Sequence, residues 1–219
     1  MMDEVSEVLK VHHERVFEQH GATPRGADWP KEGDFGLRYD KMLAVIQKDL
    51  ANLPGPVSLL DVGCGWGGLL HHARALGIPM RYTGIDLVEA MIEHGRSQFP
   101  DAEFIQGDVF DLTGEGSYDF VVCCGIATQR LSVPIPEFRA FTRRLILKMY
   151  DLSRHGVAFT MMSTSVNFMA ENLYYQDPSD LLSWLLSDVS PRVRIDHGYS
   201  SLRSGIGSYY DFVTYVYKD

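Results

Sequence analysis

Apolar residues recur at helical spacing in the first quarter of the chain. Between residues 3 and 20 they fall at intervals of three and four, which predicts a helix that ends at Gly21. A connection rich in glycine and proline follows over 23–30, and a second helix is predicted from Phe35 to Leu53. We therefore expect residues 1–55 to form a helical segment that covers the rest of the chain as a lid.

After residue 56 the pattern changes to short apolar runs that alternate with amphipathic stretches. Strands are predicted at 57–62, 82–86, 104–106, 120–124, 157–162, 193–196 and 212–217, and helices at 69–76, around 91–92, at 137–152 and at 178–186. Such alternation indicates a parallel sheet with helices on both faces. The last two strands have no helix between them and must pair antiparallel. Residues 56–219 are thus predicted to be an α/β core, with the whole chain forming one structural domain.

Composition narrows the function classes. The 219 residues include 29 acidic and 20 basic side chains, a net charge of −9, which disfavours a nucleic-acid partner. No apolar run is long enough for a membrane helix, and the acidic start lacks the order of a secretory signal. Three cysteines without metal-site spacing fit a reducing, cytoplasmic location and predict no metal.

A cluster of glycines follows the first predicted strand, in the segment Asp61-Val62-Gly63-Cys64-Gly65-Trp66-Gly67-Gly68. Glycine allows a sharp turn and a close approach of a ligand to the backbone, and the helix that follows offers free N–H groups. Gly63, Gly65 and Gly68 fit a G-x-G-x-x-G spacing. The same segment could also be a tight turn that binds nothing.

Carboxylates follow the next two strands. Asp86 ends the second strand, 23 residues after Gly63, where it could accept hydrogen bonds from both hydroxyls of a ribose. Asp108 follows the third strand and could accept from an adenine amino group. Alternatively, Asp86 caps the next helix and Asp108 belongs to a turn.

Together these segments resemble the class I methyltransferases that depend on S-adenosylmethionine (SAM). The resemblance rests on Asp61-x-Gly63-x-Gly65-x-Gly67, Gly84-Ile85-Asp86, Gly107-Asp108 and Tyr118-Asp119-Phe120-Val121. It implies a Rossmann-like, doubly wound sheet of seven strands, mostly parallel, with the last strand antiparallel and inserted between the fifth and sixth. It also implies a cofactor-binding set of Arg38, Asp61, Gly63, Cys64, Gly65, Asp86, Leu87, Asp108, Val109, Cys124 and Gly125.

Within this set the resemblance implies separate roles. Asp61 and the glycines would surround the methionine part of SAM, Asp86 the ribose, and Asp108 with Val109 the adenine. Cys124-Gly125 would form the floor under the sulfonium. Glycines and an acidic residue at position 86 would also suit NAD, but a carboxylate at position 61 would repel a pyrophosphate, whereas it tolerates the cationic groups of SAM.

The N-terminal segment and the last strands supply the predicted acceptor site. Trp29 and Arg38 resemble a pattern in one bacterial subgroup of this family, in which Arg38 would pair with the SAM carboxylate; the alternative is a surface arginine. Trp29, Tyr174, Tyr175 and Tyr199 are predicted to bind the substrate, although each tyrosine could instead pack beneath a loop. His197 is the candidate general base, unless it is an exposed or otherwise bonded histidine.

The predicted function is methyl transfer from SAM to a hydroxyl or amine of a small molecule, such as a sugar or secondary metabolite. The fourth strand ends in Cys124-Gly125-Ile126-Ala127 rather than in an Asn/Asp-Pro-Pro-aromatic element, which argues against adenine or glutamine amide acceptors. A SAM-binding sensor or partner subunit without catalysis is the first alternative, and an NAD-dependent reductase is the second.

Overall fold

A computed structural model describes residues 3–29, 35–46, 55–198 and 211–218. Its helices are α1 (Glu4–His20), α2 (Phe35–Leu43), α3 (Gly68–Ala75), α4 (Glu89–Gln98), α5 (Ile135–Leu152) and α6 (Pro178–Asp188). Its strands are β1 (Val57–Val62), β2 (Met80–Asp86), β3 (Glu103–Gln106), β4 (Tyr118–Cys123), β5 (Ser153–Ser163), β6 (Tyr175–Gln176), β7 (Val193–Asp196) and β8 (Asp211–Tyr217). None of these described helices is long and apolar enough to cross a membrane.

All the strands belong to one sheet, in the order β3-β2-β1-β4-β5-β8-β7. The first five are parallel, and β8 runs antiparallel to both of its neighbours, β5 and β7. The predicted fold class is therefore confirmed, including the reversed last strand inside the sheet. The two-residue strand β6, which pairs with the end of β5, was not expected from the sequence.

Helices cover both faces because the strands are apolar on both sides. In β1, Leu60 and Val62 pack into one core with Phe138 of α5, whereas Leu59 packs into a second core with Leu69 of α3. Such burial contributes about 1.5–3 kcal/mol for each large apolar side chain. The two cores fix the positions of the strand ends.

The N-terminal helix α1 is docked on this framework. Asp3 caps it by accepting a hydrogen bond from the backbone N–H of Val5 at 2.9 Å, and Arg144 of α5 donates to the other oxygen of Asp3. Val5 and Leu9 are buried in the core that contains α5. The second predicted helix, 35–53, is shorter than expected: α2 ends at Leu43, and residues beyond 46 lie outside the described part.

Candidate active site

A cleft lies at the carboxyl ends of β1, β2, β3 and β4. The register pairs Val62 with both Ile85 and Cys123, and Asp86 with Gln106, so the loops after these strands are neighbours. Including its part open to solvent, the cleft encloses about 1240 Å³.

Most of the predicted cofactor-binding residues line this cleft. They are Asp61, Gly63, Cys64, Gly65, Asp86, Leu87, Asp108, Val109, Cys124 and Gly125. The predicted substrate residue Trp29 also lines it. The fold therefore brings together residues that are up to 96 positions apart in the sequence.

The turn after β1 requires glycine at Gly63. Its φ is +72°, and a Cβ atom there would lie 2.5 Å from Cδ1 of Ile126. The backbone N–H groups of Gly63 and Cys64 both donate to the carbonyl oxygen of Ile85, at 2.9 and 3.2 Å. This pairing holds the loop against the end of β2, beside Asp86.

Both oxygens of Asp86 are oriented by backbone donors. The N–H of Gly65 donates to Oδ2 at 2.9 Å and the N–H of Val88 to Oδ1 at 3.0 Å. A carboxylate has about four acceptor positions, so both oxygens can still accept from a diol. Burial raises the pKa of Asp86, while these hydrogen bonds and His13 oppose the shift.

Asp61 is a second buried carboxyl group at the same strand ends. The hydroxyl of Tyr82 donates to its Oδ2 at 2.8 Å. Burial raises the pKa of Asp61 to about 7, the Tyr82 hydrogen bond lowers it, and the charge of Asp86 raises it again. A cation bound here would favour the ionised form, because it would offset both the burial and the repulsion.

Asp108 and Val109 lie at the third strand end. Asp108 accepts a hydrogen bond from the N–H of Phe110 at 3.1 Å and caps a short 3-10 helix over Val109–Asp111. Its carboxylate thus acts as the turn residue weighed from the sequence, and it also lines the cleft. Val109 and Phe110 add an apolar surface beside it, as a planar aromatic ligand requires.

The loop after β4 forms the floor of the cleft. Gly125 has a φ of +113°, and a Cβ there would lie 3.1 Å from Cζ2 of Trp29. Burial raises the pKa of the Cys124 thiol to about 12, so Cys124 is a neutral lining group and not a nucleophile. Trp29 and Gly125 are thus packed closely together.

Arg38 is buried, which excludes the surface alternative. Its Nε donates to Oδ2 of Asp211 at 2.6 Å, and its guanidinium lies 4.3 Å from the centre of the Trp29 ring. Arg38 does not line the cleft in the described part of the chain. It lies behind Trp29, where it supports that ring.

Three predicted residues lie away from the cleft or outside the described residues. Tyr174 is fully buried against Phe138 in the core and is outside the described lining of the cleft, which favours the packing alternative. The hydroxyl of Tyr175 accepts from the N–H of Ala170 at 2.8 Å, outside the described lining. Tyr199 belongs to the residues that are not described.

His197 is exposed at the end of β7 rather than placed in the cleft. Its Nε2 lies 2.7 Å from Oγ of Ser163, and its ring stacks on Phe212. His197 is outside the described lining of the cleft, and its role as general base stays a prediction. The sequence placed His197 only at the sheet edge that carries the cleft. That edge is wider than the cleft, so this position was weak evidence for a catalytic role.

Sequence reasoning missed the polar groups that the N-terminal segment brings to the cleft. His13 of α1, Asp28, and Gln129 from the loop after β4 all line it. Burial lowers the pKa of His13, and the charges of Asp86 and Asp28 oppose this shift. Helical spacing placed His13 on α1, but only the docking of α1 shows which face meets the cleft.

The lining fits SAM by its chemistry. Four carboxyl groups line the cleft, those of Asp28, Asp61, Asp86 and Asp108, whereas the described lining includes one ammonium group, that of Lys10. Such a surface suits a ligand with a sulfonium and an ammonium, and it opposes an anionic pyrophosphate. The remaining acceptor positions of Asp86 suit the hydroxyls of a ribose.

Comparison with known proteins agrees with this fit. Residues 59–146 match the family described as "Methyltransferase domain". Rv1506c of Mycobacterium tuberculosis, a protein named as a methyltransferase, is 30% identical over 155 residues, covering 68% of this chain and 91% of that protein. The dTDP-4-amino-2,3,4,6-tetradeoxy-D-glucose N,N-dimethyltransferase of Saccharopolyspora spinosa is 30% identical over 65% of this chain, which spans 52% of that enzyme.

The fold is also that of a solved methyltransferase structure. Magnesium protoporphyrin IX methyltransferase from Synechocystis PCC 6803, with bound SAM, superposes with a TM-score of 0.67 over 100% of this chain and 99% of that one, at 16% identity. With S-adenosylmethionine as its cofactor, this chain belongs to the class I SAM-dependent methyltransferases.

Proposed function

We propose that the protein transfers the methyl group of SAM to a hydroxyl or amine of a small molecule, such as a sugar or secondary metabolite. The observation that carries this proposal is the cleft in which carboxylates at the ends of three strands adjoin the floor at Cys124-Gly125. Relatives named as N,N-dimethyltransferases of amino sugars support a small acceptor. Three free cysteines support a cytoplasmic location.

Each part of the lining has a proposed role. Asp86 accepts hydrogen bonds from the ribose hydroxyls, with Leu87 beside it, and Asp108 with Val109 holds the adenine. Asp61, Gly63, Cys64 and Gly65 surround the methionine part, whose carboxylate Arg38 would meet if Trp29 moved aside.

The N-terminal segment is proposed to be the lid. Ser6, Leu9, Lys10 and His13, on one face of α1, line the cleft. This face excludes water from the reacting centre, and Trp29 with Gly125 limits the space in which an acceptor can lie. SAM supplies an activated methyl group, so alignment of the acceptor and exclusion of water are the main tasks of the protein.

Calorimetric titration of the protein with SAM, S-adenosylhomocysteine and NAD tests the cofactor. We expect both adenosyl ligands to bind and NAD not to bind; binding of NAD alone would overturn the proposal. Asp86→Ala should abolish SAM binding, whereas Asp151→Ala, at an exposed aspartate of α5, should leave it unchanged. Unaltered affinity in Asp86→Ala would refute the ribose role.

Labelled SAM separates catalysis from mere binding. If the protein is an enzyme, it should transfer labelled methyl groups to at least one acceptor from a panel of amino sugars, sugars and phenols. SAM binding without label transfer to any member would favour the non-catalytic sensor.

A further inference from the structure

A hydrogen-bonded trio, two of whose members, Asp28 and Gln129, line the cleft, is not used by the proposed cofactor contacts. Nε2 of His12 lies 2.7 Å from Oδ2 of Asp28, and Nε2 of Gln129 lies 2.9 Å from the same oxygen. A carboxylate only accepts, so both side chains donate to Asp28. The trio joins α1, the turn after the 3-10 helix Arg25–Ala27, and the loop after β4.

His12 and Gln129 both donate to Oδ2 of Asp28 and leave its Oδ1 available. Among the described residues, no donor bonds to Oδ1 of Asp28, and the side chain keeps 35% of its exposure. The three other carboxyl groups of the cleft are engaged by Tyr82, by Gly65 and Val88, or by Phe110. Asp61 and Asp108 also have one oxygen without a donor among the described residues, but both residues are less than a tenth exposed, whereas the Asp28 side chain is 35% exposed. Asp28 is therefore the most accessible of these three carboxylates.

The Gln129 amide shows that this orientation is held at a cost, whereas the left-handed backbone of Asp28, with φ of 59°, is one that aspartate adopts more readily than most residues. Gln129 directs its amide N–H to Asp28 while its own Oε1 is buried with no partner among the described residues. A buried acceptor without a donor costs about 1–3 kcal/mol. Energetically costly local arrangements of this kind are found preferentially at binding and catalytic sites.

The position of Asp28 relates it to the acceptor. Its neighbour Trp29 lies against Gly125, and Gln129 follows Gly125 by four residues in the same loop. Under the proposed function, Gly125 lies beneath the sulfonium. Through Trp29 and Gln129, Asp28 thus adjoins the loop that would carry the sulfonium, whereas Asp86 and Asp108 would lie at the nucleoside end.

We propose that Asp28, oriented by His12 and Gln129, binds the amino group of the methyl acceptor, so that the substrate class is an amine. The inference rests on the proposed function. An aliphatic amine reaches the cleft as an ammonium, which pairs with the Asp28 carboxylate by charge, whereas a neutral hydroxyl offers no such charge. The ammonium releases one proton to solvent, its lone pair then bonds to the methyl carbon as the bond from that carbon to the sulfonium breaks, and the products are the methylated ammonium and S-adenosylhomocysteine.

The first test compares matched acceptors. Label transfer from SAM is measured for amino sugars, including the two dTDP-amino sugars named for the relatives, and for the same sugars with a hydroxyl in place of the amine. We expect turnover of amines only. Turnover of the hydroxyl sugars alone would overturn the inference and leave the proposed function intact.

The second test changes the charge at position 28. Asp28→Asn keeps the shape and tolerates the left-handed backbone, and Asp151→Asn is the exposed control. We expect Asp28→Asn to raise KM for the amine about 10- to 100-fold, as for the loss of one hydrogen bond to a charged group. Affinity for S-adenosylhomocysteine should not change. An unchanged KM would overturn the inference.

A third measurement needs no acceptor. Sinefungin carries an amino group where SAM carries the methyl. The ratio of the protein's affinities for sinefungin and for S-adenosylhomocysteine therefore reports the charge near the reacting centre. Asp28→Asn should reduce that ratio about fivefold to tenfold, as for one solvent-exposed charge pair at about 4 Å. An equal ratio in wild type and variant would overturn the inference, whereas failure of both ligands to bind wild type would refute the cofactor site itself.

Discussion

At the scale of single residues, several carboxyl groups lie close together at adjoining strand ends of the site. Asp61 is 3% exposed and is bonded by Tyr82, yet its environment still disfavours ionisation. Burying an ionisable carboxyl group in this way costs free energy. The cost should be measurable as a dependence of stability on pH.

Asp61→Asn should remove part of that dependence. The pKa of Asp61 rises from 3.8 to about 7 on folding, so between these values the folded state binds a proton that the unfolded state has lost. The free energy of unfolding therefore falls as pH rises through this window. Urea titrations at pH 5 and pH 8 should show a smaller fall in Asp61→Asn than in wild type. Equal falls in the two proteins would show that Asp61 ionises normally.

At the scale of elements, helix α1, which belongs to the proposed lid, packs on the core through one face. Leu9 is buried and also lines the cleft, whereas Val11, on the same helix, is 56% exposed. The two residues make a matched pair, because both can be shortened to alanine in the same helix.

Leu9→Ala should weaken SAM binding about tenfold, because it removes part of an apolar contact worth ~1.5–3 kcal/mol. It should also reduce the free energy of unfolding, by up to about 2–5 kcal/mol. Val11→Ala should change either quantity by less than about 0.5 kcal/mol. Calorimetry and urea denaturation give both values. A loss of stability in Leu9→Ala with no loss of SAM affinity would argue against the lid.

The elements also show how far the sequence could predict the molecule. The periods of apolar residues located β1 to β5, β7 and β8, because buried strands and amphipathic helices have distinct spacings. The turn glycine Gly63 and the strand-end Asp86 could be found because they are local. Tyr174 and Asp28 could not be assigned: whether an aromatic side chain packs inward, or a lid residue meets a loop 100 positions later, depends on tertiary docking.

At the scale of the whole molecule, Arg38 and Asp211 join the N-terminal segment to the last strand. Both side chains are less than a tenth exposed. Removing one partner of a buried pair leaves an uncompensated charge, which costs about 3–5 kcal/mol. Breaking the pair between Arg38 and Asp211 should therefore destabilise both the N-terminal segment and the sheet.

A comparison of variants tests this link. Arg38→Met should lower the free energy of unfolding by about 3–5 kcal/mol, and adding Asp211→Asn should restore part of it, because the buried charge is gone. Arg74→Met breaks the exposed pair with Asp101 and should cost less than about 1 kcal/mol. The three variants are compared by urea denaturation monitored by circular dichroism. A double variant less stable than Arg38→Met would contradict the expected coupling.

The reversed strand β8 has a consequence for synthesis. It pairs with β5 on one side and with β7 on the other, so β7 has no other strand partner in the described sheet. While a ribosome adds about 5–20 residues per second, β7 emerges before the strand that must hold it. Until residues 211–217 leave the exit tunnel, β5 exposes an apolar edge that can pair with other chains. Nascent chains stalled before this point should aggregate or recruit chaperones, even though every cleft residue up to Gln129 has already been made.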